Sequence, residues 1–157
     1  MAEGTPGHRA GSGRRRGLRY RPGMDAHDHG PAGETPADPV LAVKVLTVSD
    51  GVVHGVREDH SGAALVALCD AQGWHVADTA VTADGIDEVA GALQRLADGF
   101  HGLIVTTGGT GFGPRDLTPE GTLAVLGRQA PGLAEAMRLV NPLGRLSRGV
   151  AGTLGTA

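Results

Sequence analysis

The run Leu103-Ile-Val-Thr-Thr-Gly-Gly-Thr-Gly-Phe-Gly113 constrains the possible folds of this chain more than any other segment. Its apolar start, Leu103 to Thr106, reads as a buried strand, and Gly108, Gly109, Gly111 and Gly113 follow it within a few residues. Residues without a β-carbon let successive amides turn inward and let an anion approach the main chain. Thr106, Thr107 and Thr110 add hydroxyl donors. The following Thr118-Pro-Glu120 reads as a helix start, with Thr118 as N-cap, Pro119 at the first position and an acid in the first turn. Free amides and the dipole at that helix start would reinforce a phosphate or pterin cradle. No Gly-Lys-[Ser/Thr] follows the glycines, and the dinucleotide spacing G-x-G-x-x-G is absent. A glycine-rich turn needed only for tight strand-to-helix geometry is the alternative reading.

Upstream, Leu41 to Val48 is a short, nearly continuous apolar run that suits a buried parallel strand entering a loop at Ser49-Asp-Gly51. Ser61 can N-cap a helix from Gly62 to Gln72, with Leu65, Leu68 and Cys69 on one face and Gly73 as its C-terminal glycine. Trp74 to Thr82 reads as a second strand, broken by Ala83-Asp-Gly85. Ile86 to Gly99 returns to helical spacing through Ile86, Val89, Ala90, Leu93 and Leu96. Pro131 to Val140 repeats that spacing with Leu133, Met137 and Val140. From Asn141 onward no further strand or helix is expected. Strands alternating with helices predict an α/β sheet with parallel pairs, whose ligands sit beyond the carboxyl ends of the strands. Ser49-Asp50, Asp84 and Thr107-Gly-Gly109 all fall there.

The 157 residues suffice for one domain with its own core. With 27 glycines but only one Trp, one Tyr and two Phe, that core must be built from Ala, Val, Leu and Ile. Residues 1–40 hold six Arg against five acids and show no periodicity, and read as a solvated, disordered tail. Its Arg cluster could touch an acidic partner or nucleic acid, its His27 and His29 lack further metal ligands nearby, and Met24 is a second candidate start. Residues 41–157, read as the folded domain, carry eight basic and twelve acidic side chains. Such a body has no general attraction for nucleic acid, so a phosphate must be held locally. No apolar run is long enough for a membrane span, and no apolar segment follows Arg14–Arg21 as in a secretory signal. Cys69 has no second cysteine to pair with, which suits a reducing cytoplasm, and it reads as core.

Asp84 and Asp116 are the candidate catalytic carboxylates, each placed where it can meet Mg²⁺ bound to nucleotide phosphates. Turn capping is the alternative role for each, and Asp50 and Asp59 share that ambiguity. Arg115 can pair with a phosphate or with Asp116. His60 and His75 have no triad or metal context.

These residues resemble a known family. Thr107-Gly-Gly-Thr-Gly111 with Arg115-Asp-Leu-Thr-Pro-Glu120 looks like the signature of the Mog/MoaB molybdopterin-binding family. Val48-Ser-Asp50, Glu58-Asp-His-Ser-Gly62, Pro131-Gly-Leu-Ala-Glu135 and Leu146-Ser-Arg-Gly-Val-Ala-Gly152 extend the resemblance over Val43 to Gly152. It implies a three-layer αβα fold with a mostly parallel central sheet, usually assembled as a homotrimer. Active members are molybdopterin adenylyltransferases, which use Mg²⁺ and ATP to place AMP on the pterin's terminal phosphate and release pyrophosphate. By motif position the resemblance makes Asp84 and Asp116 catalytic, with Asp84 the Mg²⁺ ligand. It puts Ser49, Asp50, Thr107, Gly108, Gly109, Thr110, Gly111 and Arg115 on the loops that contact pterin and nucleotide, and Ser147 in a further segment near the site. Family members usually continue into another strand, an Asn-Leu-Pro-Gly-x-Pro-Lys loop and a final helix, so the expected fold lacks that last strand and helix. Gly51 stands where an Arg or another polar residue often follows Ser-Asp. Molybdopterin binding without turnover is the competing function, and a truncated chain with no stable fold is a third reading.

Overall fold

The computed structural model describes Met1, residues 40–141 and residues 143–155. Apart from Met1 and Val40, the expectation of a disordered tail over residues 1–40 lies outside the described residues. Contacts within the chain separate Met1–Ala37 from Asp38–Ala157, and every helix and strand described lies in the second unit.

Three parallel strands form the main sheet: β1 (Ala42–Val48), β2 (His75–Thr82) and β3 (Leu103–Thr107), in the order β2-β1-β3. Because β1 is central, its alternate side chains enter two cores. Val43 and Val45 pack with Cys69 and, less deeply, Leu65 and Val66, all from α2 (His60–Ala71). Leu46 and Val48 pack on the opposite face against Val89, Ala92, Leu93 and Leu96 of α3 (Ile86–Ala97). Helices therefore cover both faces, as the three-layer expectation requires. Lys44 shares the α3 face and reaches its end. Its ammonium donates to Leu96 O (2.8 Å) and lies 4.4 Å from the Phe100 ring centroid, a cation placed on the carbonyl end of a helix.

Up to Thr107 the strands and longer helices match the sequence reading closely, but the stretch read as a loop after β1 contains a one-turn helix, Asp50–Val53, too short to show a period. Caps and faces also differ in places. Asp59, rather than Ser61, caps α2 by accepting from Gly62 N (2.8 Å), while Gly73 does adopt the left-handed conformation (φ +71). Leu68 and Ile86, expected on inward faces, are exposed, and Ala92 takes a core position instead. Leu117, rather than Thr118, precedes the first residue of α4 (Thr118–Leu123), because the Thr118 hydroxyl is buried against Gly109 instead of folding back over the helix start.

The chain past α4 departs further. A short strand β4 (Leu126–Gln129) pairs antiparallel with β5 (Gly152–Leu154), and a 3₁₀ turn spans Gly144–Leu146. The 3₁₀ turn and β5 replace the expected absence of structure after Asn141, and β4 is a strand the reading did not assign; runs of three or four residues leave no periodicity to read. Helix α5 (Pro131–Leu139) forms where expected but buries Ala134, leaving Leu133, Met137 and Val140 exposed. No helix among the described residues is long and apolar enough to cross a membrane.

Helix α4 rests on α3 at Gly121. A β-carbon there would stand 2.7 Å from Val89 Cβ and 2.8 Å from Ile86 O. Alanine improves helix propensity by about 1 kcal/mol, whereas overpacking a fitted contact costs about 1–3 kcal/mol. Gly121→Ala is therefore expected to lower stability by up to about 2 kcal/mol in urea unfolding, and a gain would show that α4 is free to move off α3.

Candidate functional site

With β2 and β3 on opposite sides of β1, the direction of sheet growth reverses at β1, and in such sheets the carboxyl ends of the strands at the reversal are where a ligand crevice is expected. Ser49, directly after β1, donates its amide to Thr82 O at the end of β2 (2.9 Å), and its hydroxyl accepts from Val52 N, capping the short helix α1 (Asp50–Val53). Asp50 and Asp84 then bind each other reciprocally. Asp50 N donates to Asp84 Oδ2 (2.8 Å), and Asp84 N donates to Asp50 Oδ1 (3.0 Å). Two acids are thereby held side by side by each other's main chain.

Arg115 closes this arrangement. Its Nε donates to Asp50 Oδ2 (3.1 Å), and one terminal nitrogen donates to Asp50 Oδ1 (3.0 Å) and to Asp84 O (2.5 Å). In the free chain Arg115 therefore pairs with Asp50, and not with Asp116 as one sequence reading allowed. Partial burial pushes the Asp50 carboxyl up, but the Asp84 amide and the Arg115 guanidinium outweigh it and hold the group below the usual carboxylate range. Asp59 has another job: beyond capping α2 it accepts from the Thr47 hydroxyl (2.7 Å), tying the helix to β1. Burial raises its carboxyl too, and the bonds from Thr47, Gly62 and Ser61 bring it lower overall.

The glycine-rich loop leaves β3 beside β1. Gly108 has φ +93, and a β-carbon on it would lie 2.1 Å from Val48 O, so only glycine fits. Gly109 (φ +60) has the Thr118 hydroxyl and Asp84 Oδ1 at 2.3 and 3.2 Å from the same imagined atom. Asp116 folds back under the loop: its Oδ2 accepts from Gly113 N (2.8 Å) and fills the space a β-carbon would need at Gly111 or Gly113. Asp84 and Asp116 thus flank the loop from its two ends.

The loop is held by its carbonyls. Gly109 O accepts from Thr118 N (3.0 Å), Thr110 O from Arg148 N (2.9 Å), and Gly111 O from Arg148 Nε (2.6 Å). No cis bond occurs among the described residues, and in a trans peptide each carbonyl points opposite to the next N–H. The amides of Thr110, Gly111 and Phe112 therefore point away from α4 and Arg148, forming the run of donors that the sequence pattern suggested.

The predicted residues divide accordingly. Ser49, Asp50, Asp84, Gly108, Gly109, Thr110, Gly111, Arg115 and Asp116 gather around the carboxyl ends of the strands. Thr107 is still part of β3, opposite Thr47. Ser147 accepts from Gly149 N (3.2 Å), so its hydroxyl shapes its own turn. The sequence reading passed over Arg148, the next residue, although the run Leu146-Ser-Arg-Gly149 had been singled out. Its guanidinium also binds Glu120 and the Asp116 carbonyl. That hydrogen bond is the chief reason the Glu120 carboxyl sits below its ordinary range.

Comparison with known proteins adds four findings. The family described as "Probable molybdopterin binding domain" matches residues 44–153. The molybdopterin adenylyltransferase of Helicobacter pylori (strain J99) is 37% identical over 122 residues, covering 71% of this chain and 68% of that protein. Gephyrin of Dictyostelium discoideum is 37% identical over 124 residues, which is 70% of this chain but 17% of that much longer protein. The crystal structure of the molybdopterin biosynthesis enzyme MoaB from Thermus thermophilus superimposes with a TM-score of 0.68 at 42% identity, over 74% of this chain and 76% of that one.

The lowered carboxyls of Asp50, Asp59 and Glu120 fix how stability depends on acid. A depressed folded-state pKa contributes stability that is complete above the unfolded value, about 4, and is lost as pH falls through the folded value. The melting temperature should be nearly level between about pH 5 and 7 and decline below about pH 4. Asp59→Asn, which cannot titrate, should shrink that decline; an acid limb identical to that of the wild type would show that Asp59 is not ionised in its cap.

Proposed function

We propose a function for this chain from one premise: it belongs to the molybdopterin-binding domain family. Its structure is that of the Mog/MoaB proteins, an α/β fold with a parallel central sheet. Its role is in molybdenum cofactor biosynthesis, and the specific reaction proposed is adenylylation of molybdopterin. In that reaction a terminal phosphate oxygen of the pterin attacks the α-phosphorus of ATP. The P–O bond to the β-phosphate breaks, and pyrophosphate leaves with the electron pair.

The observation that carries this reading is the placing of two acids and a run of outward amides around one crevice. Adenylyl transfer requires several anionic phosphates to be held together while negative charge shifts to the leaving group. The amides of Thr110, Gly111 and Phe112 would receive a phosphate through the main chain, without a lysine, as the negative body of the domain demands. Asp84 and Asp50 are the groups for Mg²⁺. Among the described residues no cluster of three or more potential ligands occurs, but magnesium in phosphate sites often takes one or two carboxylates plus phosphate oxygens. Asp84 and Asp50, whose carboxylates each accept from the other's main-chain amide, would meet that need. When bound, Mg²⁺ would neutralise phosphate charge and favour departure of pyrophosphate. Arg115, exposed beside them, would take a phosphate when the substrate draws it from Asp50. Asp116 would hold the loop closed through Gly113 N and present its carboxylate to the same crevice. Ser49 sets the start of α1 and Ser147 the turn before Arg148, so both would act on the substrate contacts indirectly.

The buried, unpaired Cys69 accords with a reducing cytoplasm as the site of action. The exposed Leu133, Met137 and Val140 around α5 offer an apolar face for a second copy, in line with a homotrimer.

Incubating the purified chain with molybdopterin, ATP and Mg²⁺ should yield adenylylated pterin and pyrophosphate. Asp84→Ala and Asp116→Ala should each lower the rate about 100-fold or more without abolishing a cooperative thermal transition. A folded wild-type chain that binds molybdopterin but releases no pyrophosphate would replace the transferase with a binding protein.

A further inference from the structure

The residue most heavily committed to the glycine-rich loop is Arg148, which lies 37 positions beyond Gly111 in sequence. Its main-chain amide takes the Thr110 carbonyl, and its Nε takes the Gly111 carbonyl. One terminal nitrogen donates to Glu120 Oε1 and the other to Asp116 O. The Phe112 ring stands over the same guanidinium, its centroid 5.8 Å from the central carbon. A single planar group is thus fixed at once to Gly111 within the loop, to Asp116 beyond it and to Glu120 of α4, which requires the fork of an arginine. Ammonium offers a compact point charge and cannot spread over three such separated oxygens in that plane.

The consequence lies in the peptide between Gly111 and Phe112. Glycine on one side allows that unit to rotate, so its carbonyl can point either toward Arg148 or toward the crevice. If the carbonyl faced the crevice, a phosphate would meet an acceptor where it needs a donor. We infer that Arg148 is a positioning residue for phosphate binding: by holding the Gly111 carbonyl it aims the Phe112 N–H at the bound phosphate. This rests on the phosphate-handling reading above and assigns the amide's direction to one side chain. Glu120 is its support, keeping the guanidinium in plane.

Arg148→Lys tests this directly, since lysine keeps the charge opposite Glu120 but not the fork. Amide hydrogen exchange on the free proteins should show the segment 108–116 exchanging about tenfold faster in the variant, with β1 and α3 unchanged. Pyrophosphate, used as the probe in calorimetry, should bind about tenfold or more weakly, the scale of one hydrogen bond to a charged group. The melting temperature should move by less than about 4 °C. If Arg148→Lys leaves both loop exchange and pyrophosphate affinity as in the wild type, the residue is only a counter-charge for Glu120 and the inference is overturned. Faster exchange with unchanged affinity would likewise overturn it, because the loop's order would then not serve binding. Should Arg148→Lys fail to fold, Glu120→Gln, which loosens the same guanidinium, is expected to shift both readouts in the same direction by a smaller factor. Wild type that binds pyrophosphate but makes no adenylylated pterin would sink the transferase and leave this inference standing.

Discussion

The meeting of Gly108 with the Val48 carbonyl is the contact on which the rest of the site depends. Two parallel strands, β1 and β3, end side by side, and the chain leaving β3 must turn at once. At φ +93, with another main chain where a β-carbon would go, the turn admits glycine alone. Everything downstream inherits its direction from that point. Gly109 comes to lie over Thr118 and beside Asp84, the loop carbonyls face α4, and the amides face the other way.

Charge is arranged around this backbone feature with little excess. Asp50 and Asp84 are joined through each other's amides and shared by Arg115 at one end of the loop. Glu120 and the Asp116 carbonyl are shared by Arg148 at the other. Each arginine links segments far apart in sequence. The domain as a whole is negative and both guanidiniums are already paired with carboxylates, so the turned amides are the donors at the loop not tied to an acid.

How much of this was readable from the residues depends on the range of the determining interaction. The strand at Leu41–Val48 announced itself as an unbroken apolar run, the helices at residues 62–72 and 86–99 through local periodicity, and the glycines through their density. Gly73 behaved as its position implied. What remained hidden was set over long distances. Nothing near Thr118 says that its hydroxyl will be buried under Gly109, and so Leu117 takes the place before the helix. Arg115 could have met Asp116 next to it, but met Asp50 instead, 65 positions away. Strands β4 and β5 are too short to carry a period and exist only as a pair. Nothing local to Arg148 marks it, since its partners Gly111, Asp116 and Glu120 lie 28 to 37 positions earlier in the chain. Only the fold brings its guanidinium to the loop.

The carbonyl-anchored loop has a further meaning for how such a site can change. Its recognition groups are peptide N–H donors, identical in every residue except proline. Exchanging one side chain for another within the loop therefore alters shape or entry, but leaves the kind of atom offered to the ligand as it was. Selectivity among phosphate-bearing molecules must be written elsewhere, in the walls around the crevice. The loop can stay nearly constant while those walls drift, which separates holding an anion from choosing its owner.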